Sequence, residues 1–380
     1  MNRRRRIVRL VGVLGTAITL LFGVPLWTVV LAPAWPVPVT VLGCLALGLG
    51  AAGLPLLMFR GHGRGSDPEA RAGDVLLGVI WVLFTSSLFG VIAGAALRLA
   101  GVAWPTAGRA VAVAVLVIAA TLLAWGHREA MRVPRVRRVD VGIAGLGRGL
   151  DGLRVVLVTD THYGPIDRVE WSAGVVAAVN ELDADVVCHT GDIADGPVQA
   201  RRAQSVHLGD VRAMLLRAYV TGNHEYFGEP DGWLEHMTEL GWEALHNRHV
   251  VVERDGARLV VAGVDDRTAE GSGRPGHGAD HATALAGAPK GVPVLLLAHQ
   301  PKQIGGAVAH GIDLQLSGHT HGGQIWPFHL LVLTDQPVLQ GLSRHGERTQ
   351  LYTSRGTGFW GPPFRIFAPS EITLLVLRSA

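Results

Sequence analysis

The stretch LSGHTHGGQ, Leu316–Gln324, holds two histidines, His319 and His321, one residue apart in a setting of glycines. Four other short segments carry residues of the same chemical kind. VTDTH supplies Asp160 and His162, HTGDIAD supplies Asp192 and Asp195, TGNHE supplies Asn223 and His224, and LAHQP supplies His299. Carboxylates, imidazoles and amide oxygens are ligands for divalent cations, and a mixed imidazole and oxygen set suits Mn, Fe or Zn better than Mg or Ca. Each residue alone has a plainer use: an aspartate after a strand caps a helix, Gly-Asp makes a turn, and a lone histidine is more often hydrogen-bonded than metallated. His189, His246, His249 and His281 are read in that plainer way. Five successive segments of this kind are better explained by one shared metal site.

Those segments must be positioned by the elements before them, and each follows an apolar run. RVVLV (Arg154–Val158), DVVCHT, RAYVTG, VPVLLLAH and GIDLQLSG predict strands, and Trp171–Glu181 has helical spacing. On a strand, Asp160 and His162 would project to the same face. HVVVERDGARLVVAG predicts a hairpin turning at Asp255-Gly256. LYTSRGTG and EITLLVLRS predict further strands, and the longest glycine-rich loop is 271–278. In a doubly wound sheet the strand C-termini share one edge, where ligands bind. The five segments are therefore expected to converge on one crevice.

The first third of the chain is of another kind. The 380 residues have a mean hydropathy of +0.30 and are 48% hydrophobic, with the excess at one end. Leu10–Leu31, Val37–Phe59, Val75–Leu97 and Ala110–Gly126 contain no charged residue. A bilayer crossing takes about 20 apolar residues, with about 17 the short limit, so four transmembrane helices are predicted. A cleaved signal peptide accounts for the first segment only. Arginines crowd before the first helix (Arg3, Arg4, Arg5, Arg6, Arg9), between the second and third, and after the fourth (Arg128, Arg132, Arg135, Arg137, Arg138). By the positive-inside rule both termini are expected in the cytoplasm, at the cell membrane. The arginine run also fits a twin-arginine export signal, but three further membrane segments follow it.

Charge divides the same way. Residues 1–138 carry 15 basic and 4 acidic groups, a balance of +11, and residues 139–380 carry 19 and 27, a balance of −8. The division predicts a membrane domain over 1–138 and a catalytic domain over 139–380. An acidic half is a poor nucleic-acid binder, since such binding neutralises phosphates with basic residues. The two cysteines, Cys44 and Cys188, offer no disulfide framework.

Taken together, Asp160-x-His162, Gly191-Asp192-x-x-Asp195, Gly222-Asn223-His224-Glu225, His299 and Gly318-His319-Thr320-His321 resemble the calcineurin-like metallophosphoesterase superfamily. LSGHTHGGQIW, SRGTG and EITLL resemble its membrane-associated bacterial branch of YkuE-like and YaeI-like proteins, which also holds enzymes similar to UDP-2,3-diacylglucosamine pyrophosphatases. The likeness runs from about Leu153 to Leu377; Ser370 departs from it, standing where the branch commonly has proline. The resemblance implies an α/β fold, an αββα-sandwich metallophosphoesterase domain preceded here by four transmembrane α-helices. It implies that Asp160, His162, Asp192 and His321 bind one divalent metal ion and Asp192, Asn223, His299 and His319 a second, with Mn2+ the leading choice and Fe or Zn the others. Two divalent ions with two aspartates and a hydroxide leave the site about +1, attractive to a phosphate ester. His224 would serve the leaving group and Asp195 would orient it, as carboxylates commonly fix an imidazole tautomer.

The implied activity is metal-dependent hydrolysis of phosphodiester or pyrophosphate bonds. Two apolar loops, IWPFHLLVL (Ile325–Leu333) and GFWGPPFRIF (Gly358–Phe367), are either core or a lipid-facing surface formed by Trp326, Phe328, Phe359 and Trp360. On the second reading the substrate is a phospholipid or lipid-linked phosphoester. The alternatives are a phosphodiesterase on soluble nucleotides or phosphoesters with the helices only an anchor, and a catalytically silent membrane sensor or scaffold.

Overall fold

The computed structural model describes residues 3–380, with side chains from Arg9 onward except Leu10. The side chains of Arg3, Arg4, Arg5 and Arg6 lie outside the described residues. The chain divides into two compact units, residues 1–128 with 361–366 and residues 129–360 with 367–380.

The first unit contains α1 (Arg3–Pro25), continued by a π-helical turn at Leu26–Leu31, then α2 (Val37–Gly61), α3 (Asp67–Leu99) and α4, which runs Thr106–Met131 and crosses into the second unit. All four are long and apolar enough to cross a membrane. The uncharged stretch Ala110–Gly126 lies within a 26-residue helix, so its shortness does not limit the span. Leu42 and Leu49 on α2 are 67% and 73% exposed, a disposition suited to hydrocarbon rather than water. Phe22, Leu54 and Ile80 form a small core among α1, α2 and α3. Residues 361–366 pack within this unit: the Phe364 ring meets α3 at Gly78, and His127 Nδ1 donates to the Pro363 carbonyl at 3.1 Å.

The second unit begins with β1 (Arg135–Ile143), β2 (Arg154–Val158), α5 (Val169–Asn180), β3 (Val186–His189), α6 (Val198–Ser205) and β4 (Leu216–Tyr219). Next come α7 (Asn223–Phe227), α8 (Pro230–Glu239), β5 (Glu243–Ala244), β6 (Arg248–Arg254), β7 (Ala257–Gly263), α9 (His281–Ala284) and β8 (Val294–Leu297). It ends with α10 (Ile304–Ala309), β9 (Leu314–Ser317), α11 (His329–Val332), β10 (Gly341–His345), β11 (Thr349–Thr353) and β12 (Glu371–Ser379). The strands form two six-stranded sheets, ordered β1-β12-β2-β3-β4-β5 and β10-β11-β9-β8-β7-β6.

Alternation along the strands builds the layers. Val155, Leu157, Val186 and Cys188 turn inward and meet Val261, Leu295, Leu297 and Leu316 of the other sheet. Their neighbours Val156, Val158 and Val187 turn outward against Trp171, Val175 and Val179 of α5 and Trp233 and Met237 of α8. Val260, Ala262 and Leu296 are covered by Ala284 of α9 and by Ile304 and Ala307 of α10. The result is an αββα sandwich. Strands buried on both faces read as unbroken apolar runs because no side of them meets water.

Position 138/139 falls inside β1, and the compact units divide after Arg128. β1 lies at a sheet edge, half-exposed and rich in arginine, so it lacks the apolar run by which the other strands are recognised. Arg137 pairs with Glu371 of the neighbouring β12 at 3.5 Å. The convergence edge also differs from the expected single sheet. β2, β3 and β4 are parallel in one sheet and β7, β8 and β9 are parallel in the other, so the candidate ligands arrive from two sheets.

Candidate metal centre

The residues singled out from the sequence lie immediately beyond the C-terminal ends of their strands: Asp160 and His162 after β2, Asp192 and Asp195 after β3, Asn223 and His224 after β4, His299 after β8, and His319 and His321 after β9. Five of them, Asp160, His162, Asp192, His319 and His321, have φ between +43° and +69°. Left-handed backbone is uncommon outside glycine and costs of order 1–3 kcal/mol per residue, and it persists at sites where the surroundings impose it. Glycine serves here by absence of a side chain. A Cβ on Gly318 would lie 2.1 Å from an Asp160 carboxylate oxygen, and one on Gly222 2.2 Å from an Asp192 oxygen.

These turns bring donor atoms to two adjoining points. His321 Nε2 lies 3.1 Å from His162 Nε2 and 3.5 Å from Asp160 Oδ1. His299 Nε2 lies 3.1 Å from Asn223 Oδ1 and 3.2 Å from Asp192 Oδ2, while the same Asp192 oxygen lies 3.6 Å from His162 Nε2. Asp192 thus faces both groups. The His319 ring packs edge-on against His299 at 5.1 Å, and Asp192, His299 and His319 offer ligand atoms all within 4.8 Å of one another.

The hydrogen bonds behind these atoms establish which of them carry lone pairs. A carbonyl only accepts, so His299 Nδ1 donates to Thr190 O at 2.8 Å and Nε2 is the nitrogen turned toward Asn223 and Asp192. His162 Nδ1 is committed to Asp195 Oδ1 at 3.0 Å, which likewise frees its Nε2. Three or more acceptors converge on each point. A proton can join only two of them, whereas a divalent cation is shared by all, and a neighbour holding the far nitrogen of each imidazole is the usual support of a metal ligand. The residues present therefore fit two divalent cations, with Asp192 between them.

The charges of the site are strongly perturbed: burial raises the Asp160 carboxyl, and for His299 burial disfavours the charge yet Asp192 holds it well above the usual imidazole range. Burial pushes the Asp192 carboxyl up, but His299 and His224 outweigh it and hold it well below the usual carboxylate range. Burial and the neighbouring His299 bring His319 down to about 3, leaving the neutral ring that a ligand requires. His224 differs. Burial disfavours its charge, yet Asp192 and Asp195 raise it to about 9. Its Nδ1 lies 2.7 Å from Asp195 Oδ1, and Phe227 and Trp360 flank the ring with centroids at 5.1 and 5.8 Å. Asp195 was expected to orient His224; it holds His162 as well.

Several supporting groups were assigned no role from the sequence. The Glu225 carboxylate accepts from the backbone N–H of Gly222, Asp192 (3.0 Å) and Ile193 (2.8 Å), pinning one ligand loop to another. Its spacing from Gly222 is that of a capping box, the one clue available in the sequence. Arg168 is buried between the Trp171 and Phe359 rings, 4.4 Å from each, and donates to the carbonyls of Thr161 and His162. SRGTG acts on the same loop, since Thr357 and Gly358 donate their N–H groups to Thr159 O and Asp160 O at 2.8 and 2.9 Å. Gln324 exchanges amide hydrogen bonds with the Trp360 backbone, 2.8 and 3.0 Å, and so holds that ring beside His224.

The four aromatic residues expected at a lipid-facing surface separate into two sets. Trp326, Phe328 and Trp360 are 39%, 39% and 45% exposed, but Phe359 is buried under Arg168 and belongs to the core. His189 is buried and hydrogen-bonded to the Gly191 N–H, as read from the sequence. Ser370, in the place of the common proline, donates to Gly358 O at 3.2 Å and leaves the ligand set untouched.

Comparison with known proteins gives the same assignment. Residues 153–323 match the calcineurin-like phosphoesterase family. Over 264 residues the chain is 33% identical to an uncharacterised metallophosphoesterase of Campylobacter jejuni, covering 69% of this chain and 68% of that one. The chain belongs to the calcineurin-like metallophosphoesterases. It is also 30% identical over 239 residues to the uncharacterised metallophosphoesterase YkuE of Bacillus subtilis, covering 61% of this chain and 81% of that one. A transmembrane protein with a metallophosphoesterase domain from Danio rerio is 40% identical over 271 residues, 70% of this chain and 62% of that one. The chain therefore spans less than two thirds of that relative's length.

Metal content distinguishes metal binding from proton delivery at His224. His224 lies within ligand reach of His162 and Asp192 as well, so the two roles are resolved by metal content. Asp192→Asn should reduce the bound metal of the purified chain to below half of the wild-type amount, measured by inductively coupled plasma mass spectrometry. His224→Ala should retain it while turnover falls by ~10²–10⁴-fold, the usual worth of general acid help. A parallel loss of metal in His224→Ala would make it a ligand instead.

Proposed function

We propose that this membrane protein is a metal-dependent phosphoesterase that cleaves phosphodiester or pyrophosphate bonds of a phospholipid or lipid-linked substrate. The observation that carries the reading is Asp192, a buried carboxylate facing both imidazole groups, with the Asp195-held His224 directly beside it. In this proposal Asp160, His162, Asp192 and His321 would hold one ion and Asp192, Asn223, His299 and His319 the other. When bound, two divalent ions, Mn2+ first among the candidates, would supply activation of water for in-line attack and positive charge opposite the phosphoryl oxygens.

The protein's own groups do the remainder. Asp195 keeps His224 on the Nδ1 side and directs its other nitrogen outward as a proton donor for the leaving oxygen. Raised to about 9, that imidazole is charged at neutral pH and has a proton to give. Asn223 contributes an oxygen without charge, which leaves the site with the positive surplus that attracts a phosphate ester. Among the described residues the mechanism requires no serine or cysteine nucleophile.

The lipid reading rests on a second observation. Beyond the His319–His321 loop, α11 has no buried residue, and Leu330, Leu331 and Leu333 are 60%, 52% and 47% exposed beside Trp326 and Phe328. Phe367, 63% exposed, packs edge-on against Trp326 at 6.4 Å. An exposed apolar surface of this kind next to a polar site is suited to an acyl chain or a membrane surface. Membrane helices would tether the chain to a bilayer, where a lipid substrate is concentrated. From the arginine distribution the catalytic unit is assigned to the cytoplasm.

Three measurements test these statements. Hydrolysis of a diester with a poor leaving group should decline as pH rises past about 9, because a group with a raised pKa is protonated below that value and loses its proton above it. This alkaline limb should disappear in His224→Ala; an unchanged limb would exclude His224 as the acid. Trp326→Ser combined with Leu331→Ser should lower hydrolysis of phospholipid substrates by ~10-fold or more, as each large side chain contributes roughly 1.5–3 kcal/mol of apolar burial. Bis-p-nitrophenyl phosphate hydrolysis should stay within a few-fold, and equal losses on both would refute lipid access. A reporter active only outside the cytoplasm, fused after Ala380, should stay silent.

A further inference from the structure

β9 and β8 end in His319, His321 and His299, and the next parallel strand of that sheet, β7, ends in Asp265. Asp265 is 1% exposed and lies outside the centre described above. His246 Nδ1 is 2.6 Å from its Oδ1. His277, from the glycine-rich loop 271–278, turns Nδ1 toward the other oxygen at 3.9 Å, and the two imidazole rings stand 4.7 Å apart. One ligand atom from each of the three residues lies within 4.8 Å of the other two.

The support behind these atoms is that of a metal ligand set. His277 Nε2 faces Asp231 Oδ1 at 3.0 Å, and a carboxylate accepts, so the proton sits on Nε2 and Nδ1, on the side of Asp265, accepts from the Tyr226 hydroxyl at 3.0 Å. A carboxylate behind the far nitrogen is the arrangement that fixes ligating histidines, and Asp195 does the same for His162. Arg274 holds Asp231 in turn, at 2.8 Å. Asp265 Oδ2 receives the Gly278 N–H at 3.0 Å, which ties the loop to the strand end. A surface groove of about 600 Å³, lined by His246, Glu270, His277 and Asp280, gives access from solvent. Two imidazoles and one carboxylate select a divalent transition ion over Mg or Ca.

We propose that His246 Nδ1, His277 Nδ1 and Asp265 form a third, separate metal site that binds a Zn2+-type ion, with a coordination position open to the groove. The ion joins three distant parts of the chain: the entry to β6, the exit of β7 and the glycine-rich loop. Tyr226 connects it to the catalytic centre. Its hydroxyl donates to His277 Nδ1 at 3.0 Å, a hydrogen bond that an ion at Nδ1 would replace, and it belongs to α7, which also bears Asn223 and His224. The site therefore staples the loop that packs behind α7. The proposal is independent of the phosphoesterase reading, since it rests on none of the residues of the dinuclear centre.

The test is a count of zinc in the full-length, detergent-solubilised chain. The protein is stripped with chelator, titrated with Zn2+ alone, desalted and measured by mass spectrometry. Wild type should hold one zinc per chain more than His246→Ala, and more than His277→Gln, which replaces the ring with a neutral polar group. Asp192→Asn should keep this ion while losing those of the dinuclear centre. In Co2+-loaded protein, His246→Ala should remove part of the visible d–d absorption while bis-p-nitrophenyl phosphate hydrolysis persists. Equal zinc content in wild type and both variants would overturn the site. So would a loss in Asp192→Asn as large as the whole bound metal, since every ion would then belong to one centre.

Discussion

The second unit is organised around one electrostatic constraint: the Asp192 carboxylate, 2% exposed, sits where the edges of two sheets meet, accepts the His224 N–H at 2.8 Å and has imidazoles of His162 and His299 on its other oxygen. Burying a charge is costly unless it is paired. On the proposed reading divalent cations would supply that pairing, shared by the imidazoles and carboxylates around them. Each half of the sandwich delivers part of the ligand set, so the packing of Leu157 and Val186 against Leu297 and Leu316 between the sheets also sets the distance between Asp160 or Asp192 and His299 or His321.

The left-handed backbone of Asp160, His162, Asp192, His319 and His321 follows from the same constraint. A strand would carry its side chains away to alternate faces; a sharp turn at its end points the carboxylate or imidazole back across the edge. Strain of this kind persists only where the surroundings over-determine it. Here the hydrogen bonds of Glu225 and Arg168 and those of SRGTG supply that determination. Removing such a group should loosen the ligand geometry without removing a ligand, which is how residues remote from the chemistry affect rate.

The sequence made legible what depends on local pattern. RVVLV is β2 to the residue, Asp255-Gly256 turns the β6–β7 hairpin, and the uncharged segments are helices. The candidate ligands could be picked out because divalent cations are held by a few side-chain types, which here follow strand ends. What was not legible depends on tertiary partners. β1 is an edge strand whose arginines read as membrane flanks until Arg137 is seen beside Glu371. Phe359 and Trp360 are adjacent and chemically alike, yet one is covered by Arg168 and the other stands beside His224. His246 and His277 are 31 positions apart and belong to no motif; only the fold of the glycine-rich loop brings them to Asp265.

The central claim is that Asp192 joins two metal ions in one centre, and electron paramagnetic resonance of the Mn2+-loaded chain tests it most directly. Two Mn2+ ions sharing a carboxylate are exchange-coupled, so the account predicts a broad, multiline signal from the wild-type protein. Asp192→Asn should replace it with the six-line pattern of isolated Mn2+ at lower metal content. A wild-type spectrum at full metal loading that contained only the isolated six-line pattern would contradict the account.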